Sequence, residues 1–148
     1  MRARLMSKSE LKWSEQSEES DFEAALQYLS LLASSDQAKA VVRSLRTAAP
    51  VKHAAKDLLR AAQLPLLPRD EPHVSDDFKR IEKGKPLSAV LLVRGEIAKG
   101  LPLIVADGYH RICASFLLDE DAEIPCRVAE LPRREATLAG AVGHGYDL

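Results

Sequence analysis

Covalent cross-linking has almost no material to work with in this chain. Two cysteines among 148 residues, Cys113 and Cys126, are too few for a disulfide framework, so a packed core must hold the fold and a reducing, cytoplasmic setting is the default expectation. Long hydrophobic runs are also missing. Stretches such as AVLLV fall far short of the ~20 apolar residues a membrane-spanning helix needs, and no membrane association is expected. The opening MRARLMSKSELKW has basic residues but not the apolar stretch of a secretory signal. An excess of charge of either sign is absent too: at a net charge of -1, only a local patch could attract a polyanion. The four histidines, His53, His73, His110 and His144, show no His-x-x-x-His spacing, and there is no Cys-x-x-Cys, so no structural zinc site is expected. There is no internal repeat and no low-complexity tract.

What is present is a 46% hydrophobic, 29% charged composition, that of a soluble globular protein long enough to bury one substantial core. Its character changes once, near residue 64. Before that point, Ser20-Asp21-Phe22-Glu23 matches a capping box, and Phe22, Leu26, Leu29 and Leu32 follow at helical spacing. A second helix is predicted from about Ser35-Asp36, with Val41, Val42 and Leu45 inward, ending before Pro50. VKHAAKDLLRAAQ reads as a third, ending before Pro65. LPLLPRDEP, with prolines at 65, 68 and 72, has to be extended or turn-like and is the natural hinge.

Beyond the hinge the pattern is mixed. SDDFKRIEKG reads as a short helix, PLSAVLLVRG as a strand, LPLIVA as a second strand, HRICASFLL as a helix and IPCRVAEL as a third strand. This order predicts an α+β fold: a small mixed sheet with packed helices over residues 64–132, preceded by an N-terminal helical arm over 1–63 and followed by a tail over 133–148 that frays or wraps.

The chemistry-bearing stretch is IVADGYHRICAS. If Val105 closes a strand, Asp107-Gly108 is the bend, with glycine free to adopt a backbone conformation other residues resist and Asp107 placed to cap the next helix. His110 and Arg111 then sit in the first turn, where the helix dipole disfavours positive charge unless an anion compensates it. A bound phosphate would do so, with Arg111 as the fixed charge and His110 as a hydrogen-bond donor and proton carrier. The plain alternative is that Asp107 only caps, Tyr109 only packs and Arg111 only makes an ion pair. Cys113, three residues after His110, could be drawn as a nucleophile, but ICASFLL reads more strongly as a packed helix face.

These residues carry a resemblance. IVADGYHRICAS, followed after one helix by IPCRVAEL, resembles the core of the ParB/sulfiredoxin superfamily, with its IVDGHHR-like element between a strand and a helix, over roughly residues 64 to 131. The resemblance implies a phosphate-handling turn, with Gly108, Tyr109, His110 and Arg111 as phosphate-binding residues, Asp107 as a metal-facing carboxylate, and a nucleotide, CTP, ATP or ADP, with Mg2+ as cofactor. The departures are equally specific. Where sulfiredoxins place their catalytic cysteine stands Tyr109, so sulfinic-acid reduction is not expected. Only a short stretch follows Pro132, where partition proteins continue into a DNA-binding domain. The superfamily's free serine kinases carry an acidic catalytic residue in a segment comparable to PRDEPHV, where Asp70 and Glu71 are available. The implied catalytic pair is therefore His110 and Glu71.

Three classes of function result. The first is a nucleotide- or phosphate-binding domain, with phosphotransfer or hydrolase activity left open. The second is a regulatory or interaction module that kept the fold and lost the chemistry. The third and least favoured is nucleic-acid binding. It would use the basic positions Lys39, Arg43 and Arg46 and Lys52, Lys56 and Arg60, which lack interleaved aromatics and could equally meet the acidic SEQSEESDFE. The apolar stripe of the first helix could instead pair two subunits in a homodimer.

Overall fold

Residues 6–131 are described by the structure, a computed structural model, and the tail expected over 133–148 lies outside them. In chain order the principal elements are α1 (Glu19–Leu29), α2 (Ser35–Thr47), β1 (Val51–Ala54), α3 (Ala55–Ala62), α4 (Pro72–Glu82), β2 (Val90–Val93), β3 (Ile104–Asp107), α5 (Tyr109–Leu118) and β4 (Glu123–Ala129). The strands form one sheet in the order β1-β4-β2-β3, with β2 parallel to β4 and the other neighbours antiparallel. The fold is the mixed α+β class that the sequence predicts.

Strand β2 is buried along its whole length because helices cover both faces of the sheet. Its side chains alternate between two apolar clusters, as the period of two in a strand requires. Val90 and Leu92 pack with residues of α3, α4 and α5, among them Leu58, Phe78, Ile81 and Ile112. Leu91 and Val93 pack with Phe22, Ala25 and Leu29 of α1 and Val41, Val42 and Leu45 of α2. Of the region expected as an arm, α1 and α2 are thus the second helical layer of the same body, and α3 joins α4 and α5 in the first.

Other expectations shift at particular residues. Val51–Ala54, read as the start of a helix, is the edge strand β1, with Val51 opposite Cys126 and Ala54 opposite Glu123. The helical spacing of buried apolar residues begins only at Ala55 and continues through Leu58, Leu59 and Ala62, while the free edge of β4 supplies partners for the four residues before it. The sheet therefore draws on both sides of the boundary placed at residue 64. Helix α1 starts earlier than Ser20: its N-cap is Glu18, whose N–H donates to the Asp21 carboxylate at 2.8 Å. Helix α4 starts at Pro72 rather than Ser75, with proline at the position where a helix needs no N–H.

The apolar stripe of α1 is used inside the chain. Phe22 and Leu29 are buried against the sheet with Leu26 beside them, and Leu32 is exposed. The basic positions are also partly engaged. Arg46 makes a two-pronged pair with Glu19 of the acidic N-terminal stretch, both bonds at 2.7 Å, Lys56 meets Asp121 at 2.6 Å and Arg60 meets Asp57 at 3.4 Å. Lys52 stands on β1 and not on a helix with Lys56. No helix among the described residues is long and apolar enough to cross a membrane.

Because β2 belongs to both clusters, the two layers are predicted to unfold together. Leu91→Ala and Leu92→Ala, one truncating each face, should each lower stability by about 2–5 kcal/mol in urea titrations, with Trp13 fluorescence and far-UV circular dichroism tracing one coincident transition. Two separated transitions would show the layers to be independent.

Candidate functional site

The proline-rich stretch after α3 acts as a strap laid across α5. Gln63 turns the chain out of α3 with φ of 57°. The Tyr109 hydroxyl donates to the Pro65 carbonyl at 2.6 Å, the Leu67 N–H donates to the Cys113 thiol at 3.5 Å, and the Arg69 guanidinium lies 4.0 Å from the centre of the Phe78 ring. These ties deliver Glu71 to the first turn of α5. Glu71 caps α4, its Oε1 accepting from the N–H groups of His73 at 2.8 Å and Val74 at 2.9 Å. Its other oxygen, Oε2, lies 3.2 Å from His73 Nδ1 and 3.9 Å from His110 Nε2. The two imidazoles lie face to face at a tilt, ring centres 4.6 Å apart.

On the other side of the site, β3 passes into α5 through Gly108, whose φ of 115° is one that side-chain-bearing residues rarely adopt. A Cβ at this position would also lie 2.5 Å from Val90 Cγ1. The bend is therefore glycine for two reasons, backbone shape and the closeness of β2. Asp107 does not cap α5, which has no side-chain cap. Its Oδ2 accepts from Arg111 Nη2 at 3.1 Å, across one helical turn.

Arg111 is engaged with the protein. Its Nε donates to the Ser88 carbonyl at 3.1 Å, Nη2 reaches the Ala89 carbonyl at 3.5 Å, and Nη1 stands 3.5 Å from Asp21 Oδ1. The side chain is 15% exposed. The charge expected to compensate Arg111 at the helix N-terminus is thus supplied by Asp107 and Asp21. Tyr109, with its hydroxyl on Pro65, anchors the strap. Of the residues expected to meet phosphate, Gly108 and His110 retain an open aspect, and both line a cleft of about 210 Å³ with His73, Asp76, Asp77, Asp107 and Arg111. Glu71 adjoins this cleft through the two histidines, and Asp70 is not among its lining residues.

Burial dominates the proton affinities around the cleft. It pushes the carboxyls of Asp77 and Asp107 up to about 6 against the pull of Arg111, and Asp107 is held up further by its hydrogen bond with Asp21. Burial also raises Asp21, but the Glu18 N–H and Arg111 outweigh it and leave that carboxyl below its ordinary value. The His110 imidazole is lowered, chiefly by burial and against the attraction of Glu71. Glu71 is lowered, with the Val74 N–H as the largest lowering influence. Burial raises both thiols, Cys126 to about 12, which leaves Cys113 and Cys126 as packing residues.

Sequence reasoning placed Gly108, His110 and Glu71 at one site but missed His73, Asp76 and Asp77. Pro72 was the available signal: it starts α4 three residues earlier than expected and so puts His73 in the first turn, with Asp76 and Asp77 following at i+3 and i+4. Compared with known proteins, the chain matches no family model, no curated protein and no solved structure at a significant level.

Two predictions test this geometry. A carboxyl whose pKa is raised on folding holds its proton where the unfolded chain releases it, so its contribution is favourable below about pH 4 and is lost as pH rises through about 6. Asp77→Asn, which keeps the shape and removes the charge, should stabilise the protein by about 1–2 kcal/mol at pH 8 and leave it unchanged at pH 4 in thermal unfolding. Equal stability of variant and parent at pH 8 would show that the Asp77 charge carries no penalty. Gly108→Ala should cost about 2 kcal/mol or more by the same measurement, from the left-handed backbone and the contact with Val90.

Proposed function

We propose that this chain binds a phosphate compound, a nucleotide such as CTP, ATP or ADP, in the cleft beside Gly108, accompanied by a divalent cation such as Mg2+, with phosphotransfer or nucleotide hydrolysis as its chemistry. The observation that carries this reading is the glycine bend that opens the N-terminus of α5 onto a cleft shared by two imidazoles and three aspartates. The likeness of DGYHR to the strand-to-helix turn of the ParB/sulfiredoxin superfamily supports it.

The residues constrain how the phosphate would be met. Asp76, Asp77 and Asp107 repel a bare anion, and Arg111 is already paired with Asp107 and Asp21. A phosphate that arrives with a divalent cation meets the same carboxylates favourably. These aspartates would face the cation, and the backbone N–H groups at the start of α5 would face the phosphate oxygens. His110, neutral near pH 7 because burial lowers its proton affinity, would take up a proton released in the reaction. Arg111 would act as a positioning residue, fixing the turn from beneath. This role differs from direct charge contact with the ligand, and Arg111→Ala is accordingly expected to loosen the fold itself.

A second reading, a binding or regulatory module without catalysis, is favoured by that engagement of Arg111, which among the described residues lining the cleft leaves no uncommitted guanidinium for a transferring phosphoryl group. Thermal unfolding with CTP, ATP, ADP and inorganic phosphate, each with Mg2+ and with a chelator, tests both. At ten times the dissociation constant the ligand should add about 1.4 kcal/mol of stability, a rise of about 3 °C or more, in Mg2+ only. Release of phosphate from the stabilising nucleotide favours the catalytic reading, and stabilisation without turnover favours the module. No shift with any of the four at millimolar concentration would remove the phosphate reading.

A further inference from the structure

We propose that Glu71, His73 and His110 form a binding site for one divalent transition-metal ion of the zinc class, held by Glu71 Oε2, His73 Nδ1 and His110 Nε2. The three side chains offer ligand atoms that all lie within 4.8 Å of one another. Two of the separations are already 3.2 Å and 3.9 Å, close to the roughly 3.4 Å between ligands that each stand about 2.1 Å from a tetrahedral metal. The two imidazole nitrogens lie within 4.8 Å of each other, and side-chain rotation of the rings would bring them onto one ion.

The site is prepared beyond its three ligand atoms. Glu71 is fixed by the His73 and Val74 N–H groups bonding Oε1, which leaves Oε2 directed at both imidazoles. A carboxylate oriented by other protein groups in this way is the usual support of a metal ligand. The ring nitrogens are reachable from solvent, with His73 and His110 side chains 70% and 38% exposed. Asp76, Asp77 and Asp107 along the adjoining cleft add negative charge that attracts a cation.

Ligand chemistry chooses the class of metal. Two imidazoles and one carboxylate suit zinc, cobalt or another later first-row ion, whereas Mg2+ prefers an all-oxygen shell and keeps its waters. Three protein ligands leave a coordination position for water or a substrate oxygen, and two of the three residues line the cleft. This inference does not depend on phosphate binding. The ion would be held whether or not a nucleotide enters.

Chelator-treated protein titrated with Zn2+ by calorimetry, and with Co2+ by visible absorption, tests it. One equivalent of either ion should bind with a dissociation constant of about 10 μM or tighter, with the intense visible bands of low-symmetry Co2+, and millimolar Mg2+ should not displace it. His73→Ala and His110→Ala should each weaken binding by about 100-fold or more, and Glu71→Gln, which keeps an acceptor for the helix cap, by about 10-fold. His53→Ala, on exposed β1, should leave the affinity unchanged. No binding at 100-fold the expected constant, or undiminished binding by the folded double variant His73→Ala/His110→Ala, would overturn the proposal. Neither outcome bears on nucleotide binding in Mg2+, and loss of the nucleotide effect leaves this test unaffected.

Discussion

One part-buried guanidinium ties the candidate-site end of the molecule together. Arg111 of α5 reaches Asp21 of α1, Asp107 at the end of β3, and the carbonyls of Ser88 and Ala89 that lead into β2. These groups come from both helical layers and from the sheet between them. Taking such a charge out of water is costly unless its donors are satisfied, and here two carboxylates and two carbonyls satisfy them. Removing either acid would leave a part-buried cation short of partners, so the turn at Gly108 and the seat of α1 on the sheet depend on one electrostatic balance.

The same balance explains the proton affinities around the cleft. Asp21 and Asp107 face one guanidinium and each other, and their environments drive them apart, Asp21 downward and Asp107 upward. Two neighbouring carboxyls sharing one cation divide in this way because full ionisation of both within a buried space is disfavoured. Asp77, on α4, is raised chiefly by burial, with the neighbouring Asp76 charge adding to it, against the pull of two arginines. The site thus concentrates groups held away from their solution behaviour, as functional clefts commonly do.

Much of this was legible from the chain, and the failures have physical causes. The periodicities of α1 and α2, the Val- and Leu-rich β2, and the strand-glycine-helix passage through Gly108 are local signals, and the structure follows them. Strand β1 is different. Val51, Lys52 and His53 are all exposed, so no alternation marks them, and their extended form comes from a partner strand more than sixty residues away in sequence. Arg111 shows a second kind of limit: its unfavourable place at a helix N-terminus leaves a bound anion and an ion pair both open in the sequence, and only the folded structure shows the i,i+4 carboxylate of Asp107 engaged with it. The meeting of His73 with His110 had no short-range spacing to announce it, because it is made by packing α4 against α5 under the strap.

The sheet order carries a consequence for how the protein is made. Among the described residues β1 pairs only with β4, and β4 also separates it from β2, so the sheet cannot close until the last described strand has been synthesised. Until then Phe22, Leu29, Val41 and Leu45 belong to helices that have left the ribosome but have no completed surface to cover them. Such late, long-range closure slows folding and prolongs the exposure of sticky intermediates. A nascent chain stalled before Glu123 would therefore be a natural client for chaperones, and truncations on the C-terminal side of α5 would be expected to fail in the cell by aggregation well before they could fail by loss of chemistry.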